Sequence, residues 1–224
     1  SNYKAHVCVA REQLDALLDK SIYDKATAIF NGFESLLAKP SAFEEREKDL
    51  VVYIGSLVPA KGFHMLAEVW KDVLKVRPEA KLKVIGSGKV YDRGAKLGKW
   101  NIAQEKYEER FMPFLLDTDG KLLDSVEFLG LMGNEKFAIM KKARVGVVNP
   151  TAMTEMCPGS AIEFQACGVP VISGAMGGLF DTVQHNNTGI LVRNNKKLIR
   201  ALIELLENDN MNYPMDLNIF IKKN

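Results

Sequence analysis

The chain has 224 residues, of which 47% are hydrophobic and 26% charged, so it is long enough to bury the core of one large α/β domain. Its 30 basic and 28 acidic residues leave a formal net charge of +2, which provides no long-range field to attract nucleic acid or an anionic membrane. No stretch approaches the roughly 20 apolar residues of a membrane span, and the three cysteines form no CxxC pair, so we expect a cytoplasmic protein without a disulfide or zinc framework.

The beginning of the chain carries short and weakly patterned elements. Residues 5–10 and 25–30 are predicted strands, and 11–20 is a predicted helix with three leucines on one face. Asn31-Gly32 signals a turn, and the charged segment that follows it is interpreted as a linker. The chain is therefore expected to begin part-way through a domain.

From residue 50 onward, predicted strands and helices alternate. Apolar runs of strand length occupy residues 50–55, 82–86, 125–130, 145–148, 169–172 and 189–192. Helical patterns occupy residues 63–74, 100–116, 134–142, 158–167, 179–185 and 196–207, the third of these being capped by Asn134. Near-continuous apolar strands are typical of a parallel sheet buried on both faces. The alternation predicts an α/β fold, a doubly wound, mostly parallel, Rossmann-like sheet with helices on both faces.

The tetrapeptide GSGK at 86–89 invites comparison with two phosphate-binding motifs. A dinucleotide fingerprint requires a third glycine where Tyr91 stands. A P-loop requires serine or threonine after the lysine, where Val90 stands. Both motifs are therefore excluded.

The triplet Asp117-Thr118-Asp119 has the Asp-x-Asp form with which many metal-dependent sugar transferases bind a divalent ion. Gly120 and Lys121 follow it directly and a predicted strand comes next. Asp, Thr and Gly in this order are typical of a turn. We interpret the triplet as a turn and expect no metal site there.

The most informative stretch runs from residue 145 to 173, where a predicted helix lies between two buried strands. Pro158 has no amide hydrogen and a preset φ, which suits the first turn of a helix, and Gly168 suits a left-handed C-terminal stop. This strand–helix–strand pattern indicates a βαβ unit. Unpaired amides in the first turn would make the start of this helix a site for an anion.

Three charged side chains are candidates to surround this predicted anion site. Glu155 precedes the helix and Glu163 lies about a turn and a half along it, so both suit a ligand that has a phosphate with hydroxyl groups on both sides. Lys61 follows the strand 50–55, and residues at the carboxyl ends of strands share a crevice in a doubly wound sheet. The alternatives stay open here: Glu155 as a helix-dipole partner, Glu163 as a solvated residue and Lys61 as an ordinary exposed lysine.

The order of these segments closely resembles the C-terminal, donor-binding domain of retaining glycosyltransferases with the two-domain GT-B architecture (family 4, group 1 type). The segments that carry the resemblance are VVYIGSLVPAKG, LKVIGSG, VEFLG, NPTAMTEMCPGSAIEFQACGVPVIS, GG and NNTGILV. The resemblance covers about residues 5–207, and the paired glutamates in a Gly-Val-Pro-Val-Ile context are its specific part.

The resemblance implies an enzyme that transfers a sugar from an NDP-sugar to a glycan or lipid-linked acceptor, without a metal or a cofactor. Lys61 would neutralise the donor diphosphate, Glu155 would bind hydroxyls of the transferred sugar, and Glu163 would bind the ribose hydroxyls. Of these, Glu155 and Lys61 are the implied catalytic residues. The remaining implied donor-binding residues are Gly55, then Leu129, Gly130 and Leu131 near the base, and Met156, Cys157, Pro158, Gly159 and Ser160, whose amides would hold the sugar and phosphate.

The resemblance also implies a domain division and a set of partners. Residues 1–48 would be the end of an N-terminal domain with an interdomain linker, and 49–224 the nucleotide-sugar-binding domain. The implied partners are the nucleotide-sugar donor, the acceptor and an N-terminal acceptor domain of the parent chain, with no nucleic acid. The implied location is the cytoplasm, with peripheral membrane contact through the parent protein left open.

Two departures from the family pattern bear on activity. Ser56 stands where an arginine usually supplies a second diphosphate cation, and Lys89 and Arg93 are the candidates to replace it. Residues 156–159 stand where the family commonly has a small or aromatic residue and a glycine. A non-catalytic α/β binding module that kept the fold and lost the chemistry therefore remains an alternative.

Overall fold

The structure, a computed structural model, describes residues 4–29, 31–32, 36–92, 94–151, 153 and 155–208. The strands are β1 His6–Cys8, β2 Ala26–Ala28, β3 Leu50–Ile54, β4 Lys81–Ile85, β5 Val126–Gly130, β6 Val145–Val147, β7 Val171–Gly174 and β8 Gly189–Val192. The helices are α1 Arg11–Asp15, α2 Phe63–Val76, α3 Glu105–Leu115, α4 Lys136–Lys142, α5 Gly159–Ala166, α6 Leu179–Thr182 and α7 Asn195–Glu207.

Six strands form one parallel sheet in the order β5-β4-β3-β6-β7-β8. The chain adds strands outward from β3 to β5, returns to place β6 on the other side of β3, and continues outward to β8. This is the strand order of Rossmann-type folds, and the predicted fold class is confirmed. The loops that follow β3 and β6 diverge where the order reverses, which opens a crevice at the carboxyl ends of these strands.

Each face of the sheet carries its own core. On one face α2, α3 and α7 cover a cluster rich in aromatic rings. There Phe63 packs edge-to-face against Tyr53 and Phe111, with 5.0 Å between ring centroids in both pairs. On the other face, α4 and α5 bury Met140 and Phe164 against the strands. The predicted arrangement of helices on both faces follows from apolar residues spaced to face the sheet.

At the beginning of the chain, the helix and the strands are shorter than the sequence pattern predicts. The helix predicted over 11–20 ends at Asp15 and buries none of its residues, and Leu18 is exposed. No side chain caps its start at Ala10, and without a packed face so short a helix gains little stability. The strand predicted over 25–30 is limited to β2, and residue 30 lies outside the described residues.

Three local predictions at helix ends need correction. Glu135, rather than Asn134, is the N-cap residue of α4, but its side chain accepts no hydrogen bond from the helix amides. Its Oε1 instead accepts from the Gly133 amide, ahead of the helix, at 2.7 Å. Pro158 is the N-cap of α5 and not part of its first turn. The helix predicted over 179–185 stops at Thr182. Gly168 does adopt the predicted left-handed conformation, with φ of 82°.

Two segments between the main elements have well-defined contacts. The segment 36–49, interpreted as a linker, packs along α4 and α5, where the Ser41 amide donates to the Cys167 carbonyl at 3.1 Å. The division of the chain at residue 48 stays a prediction.

The Asp117 carboxylate accepts from the amides of Asp119 and Lys121 at 2.9 and 2.8 Å, so the turn interpretation of this triplet is confirmed.

Glu108→Ala is expected to lower the free energy of unfolding by about 3 kcal/mol, because it leaves one buried and two partly buried amides without their acceptor. The buried Glu108 carboxylate accepts from the amides of Trp100, Ile102 and Ala103 at 2.6, 2.9 and 3.1 Å. Urea unfolding monitored by tryptophan fluorescence measures the change. Glu109→Ala removes the same charge at an exposed neighbouring position and serves as the control. Equal losses in the two variants would contradict the role of the three bonds.

Candidate functional site

A pocket of about 230 Å³ lies in the crevice between the ends of β3 and β6. Its lining residues are Ile54, Gly55, Ser56, Lys61, Val148, Asn149, Glu155, Cys157, Pro158, Gly159 and Ser160. Most of the sequence-predicted donor residues therefore converge on one place. A larger groove of about 420 Å³ runs along β8 and α7 and contains none of the predicted residues.

Lys61 and Glu155 form an ion pair inside this pocket. Lys61 Nζ donates to Glu155 Oε2 at 2.7 Å, and the two side chains are only 14% and 12% exposed. The backbone of Lys61 is anchored in the core, since its carbonyl accepts from the Tyr53 hydroxyl at 2.8 Å. Burial raises the pKa of Tyr53 well above its ordinary value, so this hydroxyl keeps its proton. The pair places a cation and an anion in fixed, mostly buried positions.

Asn149 is a site residue that sequence reasoning missed. Its Nδ2 donates to Glu155 Oε2 at 3.0 Å and to the Met153 carbonyl at 3.1 Å. Its Oδ1 lies 2.8 Å from Thr151 Oγ1, which is also 2.9 Å from the Ala60 carbonyl in the loop of Lys61. Asn149 thus fixes the Glu155 carboxylate and connects both loops. Its left-handed φ of 42° is a conformation in which asparagine is enriched, and asparagine directly after a strand is the signal that could have identified it.

The N-terminus of α5 faces the same pocket. The amides of Gly159 and Ser160 have no acceptor among the residues that the structure describes. Amides at a helix start carry partial positive charge and suit a bound anion. With Lys61 beside them, the predicted anion site is a physically reasonable arrangement.

Cys157 connects the pocket to the beginning of the chain. The Asn31 amide donates to Cys157 Sγ at 3.3 Å, and Asn31 Nδ2 donates to the Cys157 carbonyl at 3.0 Å. Burial raises the pKa of the Cys157 thiol, which disfavours its thiolate form. Cys157 therefore lines the pocket mainly as a neutral side chain.

Glu163 and the predicted residues at the end of β5 lie outside the lining of this pocket. Both Glu163 oxygens accept from Lys136 Nζ, at 2.8 and 2.7 Å. Lys136 is a second residue that sequence reasoning missed. Leu129, Gly130 and Leu131 lie at the end of β5, two strands from β3, and Leu131 is exposed.

Ser56 lines the pocket as a buried residue, in the position where an arginine was expected. Lys89 is exposed and does not line the pocket, and Arg93 lies outside the described residues.

Within the described ranges, no group of three or more His, Cys, Asp or Glu side chains is arranged to hold a metal ion. No helix in this part of the chain is long and apolar enough to cross a membrane.

Comparisons with known sequences indicate the family. The model of the glycosyl transferases group 1 family matches residues 37–220. An uncharacterized glycosyltransferase from Methanocaldococcus jannaschii is 26% identical over 208 residues, which are 92% of this chain and 50% of that protein. A GDP-mannose-dependent monoacylated alpha-(1-6)-phosphatidylinositol monomannoside mannosyltransferase from Corynebacterium glutamicum is 31% identical over 67% of this chain and 36% of its own length. The chain thus spans half or less of these relatives.

Comparisons with solved structures agree on the fold. HepE from Anabaena, solved in complex with UDP, superposes with a TM-score of 0.74 and 19% identity over 98% of this chain and 58% of that chain. The C-terminal domain of LpcC, a glycosyl transferase group 1 family protein from Francisella tularensis, superposes with a TM-score of 0.61 and 17% identity over 85% of this chain and 95% of that domain. The chain therefore belongs to the group 1 glycosyl transferases, and its fold is that of the C-terminal domain of a GT-B enzyme.

Proposed function

We propose that this chain is the donor-binding domain of a retaining, metal-independent glycosyltransferase that transfers a sugar from an NDP-sugar to a glycan or lipid-linked acceptor. The observation that carries the proposal is the Lys61–Glu155 pair beside the N-terminus of α5, at the reversal point of the sheet. The UDP complex of HepE, which has the same fold, supports a nucleoside diphosphate as the ligand class.

The chemistry that these groups favour is departure of a nucleoside diphosphate from an anomeric carbon. Negative charge grows on the leaving phosphate as the bond breaks, and Lys61 together with the amides of Gly159 and Ser160 stabilises this charge. Glu155, held by Asn149, accepts hydrogen bonds from hydroxyls of the transferred sugar. The family resemblance is the support for proposing retention of configuration and a glycan or lipid-linked acceptor, and the acceptor would be bound by another domain of the parent protein.

Isothermal titration calorimetry with UDP, GDP and ADP tests the nucleotide part of the proposal. We expect one of the three to bind at micromolar to millimolar concentration. If none binds at millimolar concentration, the donor-binding role of this chain is refuted. AMP, UMP and GMP provide the matched comparison, because Lys61 is expected to contact the outer phosphate.

Glu163→Ala and Glu155→Ala are expected to have different effects. Loss of Glu163 should weaken nucleotide binding about tenfold to a hundredfold, since hydrogen bonds to a charged group contribute about 1.5–3 kcal/mol. Loss of Glu155 should largely spare the affinity for the nucleoside diphosphate and remove the additional affinity of the nucleotide sugar. Titration of each variant with the diphosphate and its sugar conjugate measures both. Equal losses in the two variants would contradict the separate roles.

The second candidate function is a non-catalytic α/β binding module. The specific observation in its favour is Ser56, which leaves one side of the pocket without the usual cation. The sequence encoded directly upstream discriminates between the candidates. A preceding α/β domain of about 150 residues supports the enzyme. An unrelated upstream sequence supports the module.

A further inference from the structure

Lys136 makes a contact with Glu163 that the proposed function leaves unexplained. Its Nζ lies 2.8 Å from Oε1 and 2.7 Å from Oε2 of Glu163, so one ammonium group bridges both carboxylate oxygens. The two side chains belong to different helices, α4 and α5, and are only 21% and 15% exposed. The contact is therefore long-range and mostly shielded from water.

Helix stability does not account for a lysine at this position. Lys136 is the first residue of α4, where the helix dipole disfavours a positive charge. The lysines that complement this dipole are Lys141 and Lys142 in the last turn. The Phe137 ring lies 5.2 Å from Lys136 Nζ and further fixes the ammonium group. The contact with Glu163 therefore explains a lysine at position 136, whereas the stability of α4 does not.

The lone pairs of the carboxylate show what this bridge can do. An ionised carboxylate has about four lone-pair sites, two on each oxygen. The ammonium group uses one site on each oxygen, and the remaining two can accept both hydroxyls of a ribose diol. Because Nζ contacts both oxygens, it also prevents the carboxylate from rotating about its terminal bond. A fixed carboxylate presents its free lone pairs in one direction.

We propose that Lys136 is the positioning residue that orients Glu163 for the ribose diol, so that the preference for ribonucleotides over 2′-deoxyribonucleotides depends on Lys136. This inference rests on the proposed role of Glu163 in nucleotide binding. It adds a residue on α4 to a site otherwise built from the loops after β3 and β6 and from α5.

Calorimetric titration with UDP and 2′-deoxy-UDP, or with the guanosine or adenosine pair where the wild type binds it, tests the inference. The wild type is expected to bind the ribonucleotide about tenfold more tightly, because one hydroxyl bonds to a charged acceptor. Lys136→Met and Glu163→Gln should each reduce this preference to about twofold, and Lys136→Arg should restore it. Lys142→Met removes the same charge from an exposed position of α4 and should keep the wild-type preference.

Several outcomes would overturn the inference. If Lys136→Met weakens both nucleotides equally and keeps the preference, Lys136 acts only through its charge or through stability. If wild-type protein binds no nucleotide, the proposed function fails and the inference fails with it. If wild-type protein binds with a preference that Lys136→Met leaves intact, only the inference fails. Lys136→Gln carries the same expectation should the methionine variant not fold.

Discussion

Lys61→Met is expected to weaken binding of the nucleoside diphosphate about a hundredfold while leaving binding of the nucleoside unchanged. Among the residues that the structure describes, Lys61 is the one with a positive charge that lines the pocket at the N-terminus of α5. Its ammonium group lies within hydrogen-bonding distance of Glu155. Its loss removes charge-assisted hydrogen bonds to the diphosphate, which are about twice as strong as neutral ones. Parallel titrations with the diphosphate and the nucleoside measure the difference.

Two controls separate phosphate contact from other effects of this substitution. Lys75→Met removes the same charge from an exposed lysine in the last turn of α2 and should leave both affinities unchanged. The double variant Lys61→Met/Glu155→Gln removes the buried unpaired carboxylate that the single variant leaves behind. We expect it to recover stability without recovering diphosphate affinity. If Lys75→Met weakens diphosphate binding as much as Lys61→Met does, the effect arises from net charge and not from contact between Lys61 and the phosphate.

Gly178→Ala is expected to abolish measurable binding of the nucleotide sugar at millimolar concentration. A Cβ atom at Gly178 would lie 1.4 Å from the Met156 carbonyl oxygen and 2.3 Å from its carbon, both backbone atoms. The Gly178 amide also donates to the Glu155 carbonyl at 3.1 Å. The added methyl group must therefore move the loop that carries Glu155 and leads into the start of α5. It displaces both the carboxylate expected to bind the sugar and the amides of Gly159 and Ser160 expected to bind the phosphate.

The experiment compares Gly178→Ala with Gly32→Ala, where an added Cβ would meet nothing within 4 Å. Calorimetry measures binding, and thermal unfolding measures the accompanying loss of stability. Gly32→Ala should behave as the wild type in binding. If Gly178→Ala binds within threefold of the wild type, the loop position is not set by this close approach.

The large sheet was predictable because its strands are continuous apolar runs and its helices have one apolar face. The same patterns placed Lys61 and Glu155 at strand ends that meet in the structure. The patterns were misleading at α1, where the leucines at helical spacing are not buried by the part of the chain that the structure describes. Lys136 was not predictable, because its contact with Glu163 exists only once separate helices are assembled. Asn149 offered one signal, its position directly after a strand, but its hydrogen bond to Glu155 is a contact that the pattern does not show.

The ion pair in the pocket also affects how binding responds to salt. A free lysine that binds a phosphate releases a diffusible counterion, so its affinity falls steeply as ionic strength rises. The counterion of Lys61 is Glu155, which belongs to the protein and cannot leave. On the proposed function, a diphosphate that binds Lys61 would replace the Glu155 carboxylate as its partner in a mostly buried place, where salt screens weakly. We therefore expect the affinity for a nucleoside diphosphate to depend on ionic strength less than the number of lysines suggests.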